Sequence, residues 1–314
     1  MSRQDLRIVF MGTPAFAVAS LQALAEAGFT IAGVVTAPDK PAGRGMQLQH
    51  SAVKQYALQH GLPLLQPEKL KSPEFLAALA AWQAHIQVVV AFRMLPEVVW
   101  NMPPMGTINV HGSLLPQYRG AAPIHWAVIN GEPQTGITTF KLKHAIDTGD
   151  MLLQQSLPIG PHETTGQLHD RMMALGAQLI VQTMDGLLDG SLTPTPQPEQ
   201  VNGQALKHAP KIFTDTCRIN WQQPATQVYN LIRGLSPYPG AFTTLAGKML
   251  KIYHSQCIAA DHPYPPGTMR LTENGLWQIA ATPGWIQPLE VQFEGKKKMQ
   301  AADFLRGYKG ELKL

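Results

Sequence analysis

The chain has 314 residues, 45% of them apolar and 15% charged, with a formal net charge of +4. That length allows one large domain or two ordinary ones with a sizeable core, and the mixture excludes a disordered protein. There is no run of about 18 apolar residues, which excludes a membrane-spanning helix. Two cysteines, Cys217 and Cys257, do not make a disulfide framework or a zinc site. Both are expected to sit reduced in a cytoplasmic protein with no structural or catalytic metal.

The N-terminal stretch MSRQDLRIVFMGTP is too short in apolar residues for a signal peptide and turns strand-like at once. Residues 6–11 read as a strand, Gly12-Thr13-Pro14 as a tight turn, and AFAVASLQALAEAG as a helix stopped by Gly28. A second strand over 30–37 completes a βαβ unit, which implies a right-handed crossover and a parallel sheet. Residues 37–51 (APDKPAGRGMQLQHS) carry too much Pro and Gly for regular structure and read as a long loop. Helices are expected over 52–60 and 72–83, the latter with Ser72 as cap and Pro73 at its first position. IQVVVAF (86–92) is nearly all apolar, as a strand buried on both faces would be.

A short helix in LPEVVWNMP precedes the next strand, GTINVHG (106–112). TGITTFKLK and GDMLLQQSLPI read as two strands joined through HAIDT, and 164–188 as a long amphipathic helix. Residues 190–210 are rich in Pro, Gln and Thr and read as a linker. After a helix in ATQVYNLIRGL, short strand-like runs alternate with Gly/Pro turns to the end, the pattern of a small β-barrel. Charge divides along the same line. Residues 1–209 carry 13 Lys and Arg against 14 Asp and Glu, whereas 210–314 carry 12 against 7. The basic third suits either a solvated face or contact with a polyanion.

Glycine at the first strand–helix turn invites a nucleotide-fold reading, but G-x-G-x-x-G is absent, as are a phosphate-binding P-loop and any zinc-ligand spacing. Asn109, His111 and Asp147 are the stronger set. Residues i and i+2 of a strand face the same side, so Asn109 and His111 would share a pocket at a strand's carboxyl end. Asn can hold a developing oxyanion and His can move a proton near neutral pH. Asp147, in the DTGD turn, could orient that His. Taken singly, a His at a strand end is more often structural, and an Asp in a turn more often caps it.

NVHGSLLPQYRGAAPI followed by DTGDM resembles the folate-dependent formyltransferases. The resemblance implies that Asn109, His111 and Asp147 are the catalytic set and that 10-formyltetrahydrofolate is the formyl donor. It also implies that Ser113, Leu114, Leu115 and Pro116 contact the folate. Many family members read VVAYG where this chain has VVAFRM, and the matching folate wall is Val90, Ala91, Phe92, Arg93, Met94 and Leu95. IVFMGTPAFAV, PDKPAGRG, VVVAFRMLP and SPYPGAF are similar to the branch of the family that acts on initiator methionyl-tRNA. That branch implies a doubly wound, mostly parallel α/β catalytic domain over 1–189, a linker over 190–210 and an OB-like, tRNA-binding β-barrel over 211–314. Lys40 and Arg44 in the Pro/Gly loop, and Lys296, Lys297 and Lys298 in the basic run GKKKM, are the candidate tRNA contacts. Transfer to a small amine, such as an amino-sugar nucleotide, is the alternative. No membrane partner is expected, and nothing demands an oligomer.

Overall fold

The computed structural model describes residues 1–42, 47–201, 203 and 205–312. Chain order begins β1 (Arg7–Gly12), α1 (Ala15–Glu26), β2 (Thr30–Val35), β3 (Lys40–Ala42), β4 (Gln47–Gln49), α2 (Ala52–Gln59) and β5 (Leu64–Leu65). It continues with α3 (Pro73–Ala81), β6 (Ile86–Val90), α4 (Glu97–Trp100), β7 (Thr107–His111), β8 (Arg119–Gly120), α5 (Pro123–Ile129), β9 (Gln134–Lys141), β10 (Met151–Pro158) and α6 (Thr165–Leu188). The remaining elements are β11 (His208–Ala209), α7 (Ala225–Gly234), β12 (Ala241–Leu245), β13 (Lys248–Ile258), β14 (Met269–Leu271), β15 (Trp277–Ala280), β16 (Trp285–Phe293), β17 (Met299–Gln300) and α8 (Ala301–Gly307). The chain groups into two compact units. One comprises Met1–Gly120, Gly136–Leu157 and His169–His208; the other comprises Ala121–Thr135, Pro158–Leu168 and Ala209–Leu314.

The first unit is built on a seven-stranded sheet in the order β10-β9-β7-β6-β1-β2-β5. From β7 through β5 neighbouring strands run parallel, and β9 returns antiparallel to β7. β6 is buried at every position, as a central strand covered on both faces must be. The winding reverses between β1 and β6, so the crevice at their carboxyl ends is the expected ligand site of such a sheet. Gly12 lies opposite Val90 there. A Cβ on Gly12 would sit 2.6 Å from the Ala17 Cβ and 3.0 Å from the Val90 carbonyl oxygen. Glycine is therefore required where α1 folds back so closely on the sheet. Ser51 and Ser72 cap α2 and α3, their hydroxyls accepting from the Lys54 and Phe75 amides.

The reading of 37–51 as a loop is corrected. The Pro/Gly loop of 37–51 contains an antiparallel pair, β3 with β4, with Pro41 opposite Leu48. A two-stranded hairpin has free edges, so the missing Pro41 N–H breaks no interior ladder.

The second unit carries an antiparallel half-barrel in the order β12-β13-β16-β15-β14, with β17 on β16. Its core gathers Leu250, Ile252, Trp277, Ile279, Ile286 and Val291 beneath Val228 and Ile232 of α7. The strand-like pattern read from sequence runs to the end of the chain, but 301–307 form α8. Phe304 of α8 stacks on Trp277 with ring centroids 5.6 Å apart. Seven residues are too few to show a helical period in sequence. Among the described residues no helix is long and apolar enough to cross a membrane.

Candidate active site

β7 leaves the centre of the sheet carrying Asn109 opposite Val89 of β6 and Phe140 of β9, and His111 opposite Thr138. Strand geometry puts Asn109 and His111 on one face. Asn109 is half-buried, and among the described residues its side-chain amide has no hydrogen-bond partner. His111 is buried, at 7% exposure. Its Nε2 lies 2.9 Å from the Tyr118 carbonyl oxygen, which can only accept, so Nε2 carries a proton. That leaves Nδ1 as the nitrogen that gains or loses one. Nδ1 points at Oδ2 of Asp147, 3.8 Å away, beyond hydrogen-bond length but within ion-pair range.

The structure thus brings Asp147 back to His111 across 36 residues of chain, from the turn between β9 and β10. Oδ2 of Asp147 also accepts the Gly120 amide at 2.9 Å. No described residue donates to Oδ1. Asp147 has φ +52° and Tyr118 φ +60°. Left-handed backbone costs a non-glycine residue on the order of 1 kcal/mol, and such strain persists only where neighbours over-determine it. At Gly149 any Cβ would overlap the Lys141 carbonyl, so the glycine of DTGD is there for close approach.

The segment after His111 is locked by Ser113 and by two groups that the sequence did not single out, Thr138 and Gln154. Ser113 is fully buried and its hydroxyl donates to the Gln117 carbonyl at 2.7 Å. Thr138 accepts the Leu115 amide at 3.1 Å and donates to the Ser113 carbonyl at 2.7 Å. Gln154 donates to the Leu115 carbonyl at 2.7 Å. The Leu115–Pro116 peptide is cis, and Leu115 and Pro116 are buried while Leu114 is half-buried. Along the other expected wall, Val90 and Leu95 are buried core residues that can offer a ligand only their main chain. Ala91 is exposed at φ +47°, and Met94 is 77% exposed. Arg93 is tied back, donating to the carbonyls of Glu68, at 2.8 Å, and Pro67, and its guanidinium lies 5.6 Å from the Phe92 ring centroid.

Lys40, Lys296 and Lys297 are exposed. Lys298 is engaged: its ammonium is 3.3 Å from Glu290 and 4.0 Å from the Tyr253 ring centroid. Arg44 lies outside the described residues.

Residues 6–184 match the sequence family described as "Formyl transferase", and residues 211–309 match "Formyl transferase, C-terminal domain". The chain is 53% identical to the methionyl-tRNA formyltransferase of Parabacteroides distasonis, over 98% of each chain. It is 52% identical to that of Bacteroides fragilis, over 98% of this chain and 97% of the relative. In fold it is similar to HypX from Aquifex aeolicus, solved in complex with tetrahydrofolic acid. The TM-score is 0.64 at 17% identity, over 99% of this chain and 49% of that one. Identity above one half along almost the whole length, with both family regions matched in order, makes the chain a member of the formyl transferase family.

Proposed function

We propose that this chain transfers the formyl group of 10-formyltetrahydrofolate to the α-amino group of methionine on initiator methionyl-tRNA, in the cytoplasm and as a monomer. Two relatives named methionyl-tRNA formyltransferase are more than half identical to it over nearly their full length. The observation that carries the chemistry is the Asn109 amide, without a hydrogen-bond partner among the described residues, beside the His111–Asp147 pair.

In this reading the folate supplies an activated formyl carbon. The residues fit such a donor, because transfer places negative charge on the formyl oxygen and Asn109 offers a neutral N–H with no competing acceptor among the described residues. The Tyr118 carbonyl fixes the His111 tautomer, leaving Nδ1 able to hold a proton facing the Asp147 carboxylate. Oδ1 of Asp147 is left to draw a proton from the incoming amine, directly or through water, as the new N–C bond forms, and that proton ends on the folate nitrogen as its bond to the formyl carbon breaks. The Gly120 amide keeps Oδ2 turned inward while Oδ1 does so.

Residues 1–189 would then perform the transfer, with 190–210 as connector and 211–314 as the tRNA-binding part. Residues 90–95 and 113–116 would wall the folate largely with main chain. Lys40, Arg44, Lys296, Lys297 and Lys298 would meet tRNA phosphates. The test is to supply formyl-labelled 10-formyltetrahydrofolate with initiator methionyl-tRNA, elongator methionyl-tRNA or an amino-sugar nucleotide. Label on methionine of the initiator tRNA is expected. Label on the sugar amine, or release as formate alone, would overturn the reading.

A further inference from the structure

We infer that Gln197, in the Pro-rich stretch that reads as a connector, is a positioning residue for Asp147 and acts together with Arg119. This rests on the reading of Asp147 as part of the transfer site.

The connector is fastened to the first unit at a defined point. Thr195 and Met151 exchange both backbone hydrogen bonds, each 2.8 Å long. Gln197 follows two residues later, between Pro196 and Pro198. Both prolines have fixed φ and no N–H, so this part of the strap is stiff and its polar reach is concentrated in the Gln197 side chain. That side chain is half-buried. Its Nε2 donates to the carbonyls of Asp147, at 2.9 Å, and Gly149, at 2.7 Å. Its Oε1 accepts two bonds from Arg119, from Nε at 3.0 Å and Nη2 at 2.7 Å. The guanidinium has no acceptor, so it fixes which end of the amide is oxygen and forces the N–H groups onto the turn.

The segment that orients Gln197 is the same one that orients the two acid–base groups. Tyr118 supplies the carbonyl to His111, Arg119 the guanidinium to Gln197, and Gly120 the amide to Asp147. The strap also holds that segment from behind, because the Tyr118 amide donates to the Lys207 carbonyl at 2.7 Å and the Lys207 amide to Gln117 Oε1 at 2.8 Å. Asp147 is therefore gripped at its carboxylate from one side and at its strained main chain from the other. Loss of the second grip would leave the left-handed turn held by one bond fewer at each of two carbonyls, and misplacement of a reacting group by about 1 Å can cost on the order of 10²-fold.

The experiment compares Gln197→Met, Asp147→Asn and the double variant in the full-length protein, measuring kcat, both KM values and thermal midpoint. Gln197→Met keeps length and removes both donor and acceptor. It is expected to lower kcat about 10- to 100-fold with each KM held within about threefold. The double variant should be no slower than Asp147→Asn alone, because Gln197 acts through that residue. Gln197→Glu supplies a second reading if the Met variant folds poorly. It strengthens the Arg119 contact and so should keep the thermal midpoint, yet it sets a carboxylate against two carbonyls and should lower kcat at least as much. Unchanged kcat in a folded Gln197 variant, or losses that multiply in the double variant, would overturn the inference. Near-normal kcat in Asp147→Asn would instead overturn the reading of the site on which it rests.

Discussion

The turn holding Asp147 and the basic run at Lys296–Lys298 place charge in opposite ways. At the turn, a carboxylate at 13% side-chain exposure is fixed by the Gly120 amide, its own carbonyl is held by Gln197, and a buried imidazole faces it. In the basic run, Lys296 and Lys297 project into solvent, and only Lys298 is engaged, by Glu290 and the Tyr253 ring. Proton transfer and oxyanion stabilisation need groups placed to a fraction of an ångström in a site shielded from water. Phosphate attraction needs charge on long, mobile stems and tolerates imprecision. The contrast predicts that changes at the first region act on kcat, steeply and one residue at a time. Changes at the second should act on tRNA KM, shallowly and with salt dependence.

The largest break should come at His111. His111→Ala removes the nitrogen that faces Asp147, and kcat is expected to fall about 10²- to 10⁴-fold. Equilibrium binding of folate and tRNA, read by titration, should change little. A parallel loss of binding would place His111 in recognition rather than transfer. A smaller effect is expected at the basic run. Replacing Lys296 and Lys297 together by Ala should raise KM for tRNA several-fold and leave kcat alone. For each phosphate no longer neutralised, the slope of log affinity against log salt should flatten by about 0.7 to 0.9. Arg44→Ala should act in the same sense, with folate affinity unchanged.

The smallest effect lies at the foot of the β3–β4 hairpin. Lys54, then Gln66 and His50, hold the Asp39 carboxyl at about 2, well below its ordinary range. A lowered folded value means that Asp39 stabilises the fold fully above the ordinary carboxylate range, near pH 4, and ceases to do so as pH falls through about 2. Asp39→Asn should therefore reduce stability modestly at neutral pH and make acid unfolding less steep between about pH 4 and 2. An unchanged acid limb would show that these partners hold the hairpin by geometry alone.

The two regions also differ in how much of them could be read from sequence. Asn109 and His111 are two residues apart on one strand, so their shared face follows from the pleat. The GTP turn, the Ser72 cap and the basic third were legible for similarly local reasons. Asp147 was legible as chemistry but not as a neighbour, because the 3.8 Å approach to His111 depends on β9 returning antiparallel beside β7. Thr138, Gln154 and Gln197 gave no signal. Each is an ordinary polar residue whose partner lies far along the chain, up to 78 positions away for Gln197 and Arg119, and is joined to it only once the sheet order is set. Composition concealed structure in two places. The Pro and Gly of 37–51 hid a hairpin, and the composition of 190–210, which reads as a linker, gave no sign of the Thr195–Met151 bridge.

The central claim is that Asn109 stabilises charge that appears only during transfer. It is tested most directly by the single-turnover rate of formyl transfer to initiator methionyl-tRNA in Asn109→Ala, measured beside the equilibrium affinity for the folate donor. A rate lower by about 10²- to 10³-fold at nearly unchanged affinity is expected, because one oxyanion donor contributes about 3 to 4 kcal/mol to the transition state and little to the bound substrate. A near-normal rate, or a loss confined to folate affinity, would contradict the account.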